Sequence, residues 1–256
     1  MWLRHRIRRF RSRLGNIRHY FKTLSNANEI ERLTDLSQSK NLILLLYGFG
    51  ATRRSVSILE ARLRKDGFDV ISLKLGGFMD LFNTEPIDKL AKKVAQKIES
   101  LCERFQLPRF TIIGYSKGGL IGRYYITHLG GDKRVHTLIT LATPHLGNPW
   151  SLLGGIFLVG LLSKGLRQMI PASKFMRMLA KKPLPANVYT VSIASPKDKT
   201  CPPRYSLLPE RKEGVPVCNV LLKDLRHSDF VIKQQAYQTI YDHLKTGLTY
   251  ALKGFH

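Results

Sequence analysis

Phe110-Thr-Ile-Ile-Gly-Tyr-Ser-Lys-Gly-Gly-Leu-Ile-Gly-Arg123 opens with a short apolar run, Phe110 to Ile113, that reads as a buried strand. Gly114-Tyr-Ser-Lys-Gly118 is a sharp turn, and Leu120, Ile121 and Tyr124 continue it with helical spacing. A serine at the apex of a strand–turn–helix, flanked by glycines, is the arrangement that presents an activated hydroxyl, a nucleophile elbow. The glycines have a steric reason: strand and helix pack closest here, and a Cβ on either side would collide. The five-residue pattern alone also suits a glycine-rich packing turn. The strand before it and the helix after it make Ser116 a candidate nucleophile.

Outward from the elbow, apolar runs alternate with amphipathic ones. Asn41 to Tyr47 reads as a fully buried strand and Gly48 to Thr52 as the loop after it. Val56, Leu59 and Leu63 share one helical face, closed near Gly67, and Phe68 to Leu75 is the next strand. After a loop from Gly76 to Pro86, Ile87, Leu90, Val94, Ile98, Leu101 and Phe105 mark a long helix that ends before Pro108. Further strands are expected over Val135–Leu141, Asn187–Ala194 and Val217–Leu222, and a last helix over Ser228–Leu252. The alternation predicts an α/β fold, a mostly parallel sheet with helices on both faces. It is broken between about 148 and 185, where the apolar run Leu152–Leu162 (with Ile156, Phe157 and Leu161) and a helical stretch Phe175–Leu179 read as an inserted helical lid. An ordinary buried helix pair is the plainer alternative.

At 256 residues and 43% apolar side chains, the chain suits a globular domain and not a disordered one. Its 42 Lys and Arg against 18 Asp and Glu leave a net charge of +24, which favours anionic partners. The first 24 residues hold seven Arg, one Lys and no acid. Leu3, Ile7, Phe10, Leu14, Ile17, Phe21 and Leu24 recur there in steps of three and four, with Trp2 beside the stripe. This is a basic amphipathic helix, joined by a Ser/Asn/Thr-rich linker over 25–40 to the domain over 41–256. It has no continuous apolar core of the roughly 7–15 residues that a secretory signal needs, and it cannot span a bilayer. An anionic membrane surface is the favoured partner for it, with a cytoplasmic, membrane-peripheral protein the expectation. Docking on the domain, an organelle transit peptide and a nucleic-acid arm are the other readings of the same composition, nucleic acid being less favoured.

Three cysteines, Cys102, Cys201 and Cys218, have no metal-ligand spacing and read as free thiols, with a Cys201–Cys218 bridge the minority case. No metal site or other cofactor is expected. A nucleophilic Ser needs a base and the base an acid, which in this arrangement follow the Ser in the order acid, then His. Asp198 lies just after the Val188–Ile193 run and His227 just after Val217–Leu222, both at the carboxyl ends of expected strands. Asp224 is the rival acid. His145, the rival base, precedes both acids and reads as structural. The backbone N–H groups of Lys117 and of Phe49, in the Gly48-Phe49-Gly50 loop, are the candidate oxyanion donors.

With these residues in place the chain resembles the α/β-hydrolase superfamily, and within it the bacterial triacylglycerol lipases and lipase-like GPI inositol deacylases. The segments that carry the resemblance are Tyr47-Gly-Phe-Gly50, Gly114 to Arg123, Leu141-Ala-Thr-Pro-His-Leu-Gly147 and the late Asp198 and His227. It spans about residues 41–252. It implies Ser116 as nucleophile, Asp198 and His227 as its relay, the Phe49 and Lys117 amides as oxyanion hole, and the insertion after Gly147 as a substrate cap. The family's usual His before the oxyanion-loop Gly is here Tyr47. The function expected is hydrolysis of lipid-like acyl esters through an acyl-enzyme, phospholipid included. An acyltransferase using the same acyl-enzyme, and a catalytically silent membrane- or nucleic-acid-binding module, are the alternatives.

Overall fold

Leu42-Ile-Leu-Leu-Leu46 carries no polar side chain, and such a strand is stable only where both of its faces are covered. In the computed structural model of the chain all five residues are buried. Six strands are present among the described residues: β1 (Leu42–Leu46), β2 (Asp69–Ser72), β3 (Phe110–Tyr115), β4 (Val135–Leu141), β5 (Tyr189–Ala194) and β6 (Val217–Leu221). They form one parallel sheet in the order β2-β1-β3-β4-β5-β6. β1, β3, β4 and β5 are buried along their whole length, the polar Thr137, Thr140, Thr190 and Ser192 included. β6 lies at the sheet's edge and is half-exposed.

The structure describes residues 36, 39–49, 51, 53–73, 85–149, 151, 163–209 and 216–253, all within one compact unit, Asp35–His256. The basic helix expected over 1–24, most of the 25–40 linker, and the lid residues Leu152, Ile156, Phe157 and Leu161 lie outside the described residues.

The helices are α1 (Ser57–Lys65), α2 (Ile87–Phe105), α3 (Lys117–His128), α4 (Lys164–Gln168), α5 (Lys174–Lys181), the short α6 (Pro203–Ser206) and α7 (Gln234–Leu252). Two close approaches assign the faces. At Gly122 of α3 a Cβ would stand 3.0 Å from Ile112 and 3.2 Å from Leu138, while at Gly247 of α7 it would meet Thr137. Thr137 and Leu138 are consecutive along β4 and so point to opposite faces; α3 and α7 therefore cover opposite sides. α2 packs against α3, and the Tyr237 hydroxyl of α7 donates to the Arg62 carbonyl oxygen of α1 at 3.2 Å. Residues 117–126 of α3 are buried all round, wedged between sheet, α2 and the segment after β4.

The helix expected over Ser228–Leu252 is instead two pieces: a 3-10 turn, His227–Val231, and α7. The Asp229 carboxylate accepts from the Arg226 N–H at 2.9 Å, and its carbonyl takes the Ile232 and Lys233 N–H groups. That closes the turn on itself. Lys233 is extended before α7 begins, and His227 is left at the head of the turn. In the insertion, the expected Phe175–Leu179 helix is α5, and α4 adds a turn the pattern did not indicate. Arg123 of α3 donates to the Leu179 carbonyl oxygen at 3.3 Å, meeting one of the acceptors that the end of α5 leaves open.

The chain leaves β1 for β2 on one side and then returns to β3 on the other. The loops after β1 and β3 therefore diverge, which opens a crevice at the carboxyl ends of the strands, the place where open α/β sheets bind ligands.

Candidate active site

Ser116 follows β3 beside that crevice with φ 53° and ψ −122°, a conformation that costs a non-glycine residue of the order of 1–3 kcal/mol. Its neighbours hold it there. Its N–H donates to the Leu141 carbonyl oxygen at 2.8 Å and its own carbonyl accepts from Gly119 at 3.1 Å. Gly118 allows the turn: a Cβ there would lie 2.1 Å from the Leu46 carbonyl oxygen, so any side chain would push α3 off β1. The loop after β1 comes as close. A Cβ on Gly48 would stand 3.1 Å from that of Ser116, which places Phe49 next to Ser116. Lys117 opens α3, and the first N–H groups of a helix have no acceptor within it. Its dipole adds positive potential at the same point.

Asp198 and His227 come from the ends of β5 and β6. Asp198 sits in a turn closed by its N–H on the Ser195 carbonyl oxygen at 3.1 Å, and its side chain is fully buried. One carboxylate oxygen accepts the N–H groups of Thr200 (2.8 Å) and Cys201 (3.0 Å). The other lies 2.8 Å from His227 Nδ1. A carboxylate so placed can only accept, so Nδ1 carries the hydrogen. Nε2 then presents its lone pair to Ser116 Oγ at 3.1 Å. His227 keeps 21% of its side chain exposed. The three residues thus form one chain of hydrogen bonds across a separation of 111 positions in sequence. Asp224 is elsewhere, largely exposed and paired with Lys197 Nζ at 2.9 Å.

Residues outside the sequence expectation complete the surroundings. Ser195 Oγ accepts from the N–H groups of Lys197 and Leu225, both at 3.2 Å, and so ties the Asp198 turn to the His227 turn. Only its position before Pro196 hinted at a turn role. The Tyr115 ring stands 5.1 Å from that of His227 at 40°. Burial and the nearby Asp198 charge push the Tyr115 hydroxyl's pKa up, so it stays protonated. The Thr143-Pro-His-Leu-Gly147 segment braces the Asp198 loop: Leu146 N–H donates to the Tyr205 carbonyl oxygen at 3.0 Å and the Asn148 amide to that of Thr200 at 3.0 Å. His145 itself is buried and reaches neither Ser116 nor an acid among its hydrogen-bond partners. The three cysteines are unbridged. Burial pushes the Cys201 thiol up to about 12, so it is no nucleophile near neutral pH. Among the described residues no group of acidic, His or Cys side chains is arranged to hold a metal.

In sequence, residues 43–152 match the family model "Palmitoyl protein thioesterase", less than half of the chain and ending before Asp198 and His227. No curated protein matches the chain. Solved structures do. The mature form of Bacillus licheniformis lipase BlEst2 superposes with a TM-score of 0.66 at 15% identity, over 81% of this chain and 93% of that one. Aspergillus fumigatus lipase B gives 0.67 at 18% identity over 80% of this chain and 52% of its own length. A bromoperoxidase from Bacillus anthracis gives 0.60 at 16% identity, over 80% and 92%. Neighbours with such different names share a scaffold, and a scaffold does not fix a reaction. The sheet order, the elbow at the switch point and these superpositions agree: the chain has the α/β-hydrolase fold.

Proposed function

We propose that the protein is a serine hydrolase that cleaves lipid-like acyl esters through an acyl-enzyme on Ser116. The observation that carries this reading is the unbroken relay from Ser116 Oγ through His227 to the buried Asp198, with Ser116 held at positive φ. Ser116 Oγ attacks the acyl carbonyl as its proton passes to His227 Nε2. Asp198 remains ionised and stabilises the imidazolium. The carbonyl oxygen, now negative, lies between the N–H groups of Lys117 and Phe49. As the tetrahedral species collapses, the leaving group takes the proton from His227. Water then enters, gives its proton to Nε2 and attacks the ester on Ser116, and the acid is released as Oγ regains the proton. The apolar residues of the insertion, including Leu152, Ile156, Phe157 and Leu161, would cover the acyl chain. Each Å² of aliphatic surface so buried contributes about 25 cal/mol.

The matched thioesterase family favours a second form of the same chemistry, with a fatty acyl thioester as substrate and a thiolate as leaving group. Hydrolysis of p-nitrophenyl esters from acetate to palmitate, beside an S-palmitoyl peptide, separates the two. An acyl-chain preference with no thioester turnover favours the lipase form. Activity in Ser116→Ala equal to wild type sinks both. The +24 charge and the basic stripe of residues 1–24 support work at an anionic membrane surface; full-length protein that fails to sediment with anionic vesicles at physiological salt removes that element.

A further inference from the structure

Lys117 is a charged residue adjoining Ser116 that the relay leaves unused. Lysine is rarely fully buried, and Lys117 is wholly inaccessible and directly follows the nucleophile. Its Nζ donates to the Glu85 carbonyl oxygen at 2.5 Å and stands 5.5 Å from the centroid of the Phe49 ring, within the range of a cation–π contact. Glu85 lies two residues before α2, and Phe49 is in the loop after β1. One ammonium therefore joins the three segments that meet at the nucleophile: the elbow, the oxyanion loop and the approach to α2. The Glu85 carboxylate itself is engaged by Lys93 at 3.0 Å and Lys89 at 3.7 Å. Burial pushes the Lys117 ammonium down to about 7, against the pull of Glu85. An apolar side chain of the same length would avoid that cost.

Resting on the assignment of Ser116 as nucleophile, we propose that the Lys117 side chain is a positioning residue: its ammonium clamps the Phe49 ring and the Glu85 carbonyl so that the Phe49 N–H stays directed at the oxyanion. Its backbone N–H is a separate donor, retained whatever the side chain. The clamp would act on the transition state and not on substrate binding, because the oxyanion exists only after attack.

The test is turnover of p-nitrophenyl butyrate by the full chain as wild type, Lys117→Met, Phe49→Leu and the double variant. Methionine keeps the length and the backbone donor but removes the charge. Loss of a whole oxyanion donor costs about 100–1,000-fold; a donor that is present but loosened should cost about 10–100-fold. The expected result is that loss in kcat for Lys117→Met, with KM within about threefold and thermal stability equal to or above wild type. Phe49→Leu should lose a similar factor, and the double variant no more than either single one, because both break the same clamp. Losses that multiply in the double variant, or kcat within twofold of wild type in Lys117→Met, overturn the proposal. Should Lys117→Met not fold, Phe49→Leu decides it alone by the same twofold limit. A folded wild type that neither turns over ester nor reacts with an organophosphorus probe overturns the Ser116 assignment and this inference together. An active wild type beside an unaffected Lys117→Met overturns this inference only.

Discussion

Two histidines lie past the carboxyl ends of strands, His145 after β4 and His227 after β6, and their surroundings divide them. The Thr140 hydroxyl donates to the Val191 carbonyl oxygen at 3.0 Å, so its oxygen must accept from His145 Nε2, 2.9 Å away. His145 is therefore the Nε2–H tautomer, and its Nδ1 has no hydrogen-bond partner among the described residues. Desolvation, and then the Arg123 charge, push its pKa well below the ordinary value, so it stays neutral and takes no proton. His227 is the opposite tautomer: Nδ1 donates to Asp198 and Nε2 is open to Ser116. Burial alone makes a histidine inert; a buried carboxylate behind it and an accessible nitrogen in front make it a base.

Exchanging the features that separate the two sites sharpens that comparison. The largest effect is expected at His227→Ala, with kcat/KM for a p-nitrophenyl ester reduced by about 10⁴-fold or more and a thermal midpoint within a few degrees of wild type. His145→Ala should reverse the pattern. It removes a packed, buried ring, so urea denaturation should show a loss of about 2–3 kcal/mol, while turnover per folded molecule stays within about threefold. Equal catalytic losses in the two variants would break the distinction. Next in size is Asp198→Asn, which keeps the shape but favours the wrong His227 tautomer and should lose about 10³–10⁴-fold in kcat.

A smaller effect tests the neutral histidines. His145 and His136, the latter pushed down to about 4 by burial and by Arg109, bind a proton in the unfolded chain near pH 6.5 but not in the folded one at that pH. Stability is therefore lost as pH falls below about 6.5, with a slope of up to roughly 1.4 kcal/mol per pH unit for each group. For His136 the loss levels off below about 4. Urea midpoints at pH 7 and pH 5 measure it, and the slope should be shallower in His145→Ala. The smallest effect belongs to Asp224→Asn: exposed and paired only with surface lysine, it should leave turnover within twofold and the thermal midpoint unchanged.

β1 is legible in the sequence because a strand buried on both faces reads as a near-continuous apolar run, as Leu42–Leu46 does. β3, β4 and β5 are legible from the apolar residues that flank buried polar ones, Thr111 in β3, His136, Thr137 and Thr140 in β4, and Thr190 and Ser192 in β5. The elbow is legible because Gly118 cannot carry a Cβ against Leu46. The order of Ser116, Asp198 and His227 along the chain is readable too, but not their distances. Those depend on turns closed by side chain–backbone hydrogen bonds, as at Ser195 and Asp229, and such bonds leave no periodic trace. This is why the turn at His227–Val231 merges with the last helix in a sequence reading, and why Tyr115, whose contact with His227 joins β3 to the segment after β6, gives no local signal. Lys117 reads as one more charge in a basic chain; only the packing of α3 on β1 and α2 turns it inward.

The central claim, that the relay makes Ser116 the nucleophile, is tested most directly by covalent labelling with a fluorophosphonate followed by peptide mapping, with wild type beside Ser116→Ala and detergent present to open any cover over the site. The account predicts one adduct per chain, on Ser116, absent from Ser116→Ala and strongly slowed in His227→Ala. A folded wild type that takes no label with detergent present, or takes it on another residue, would contradict it.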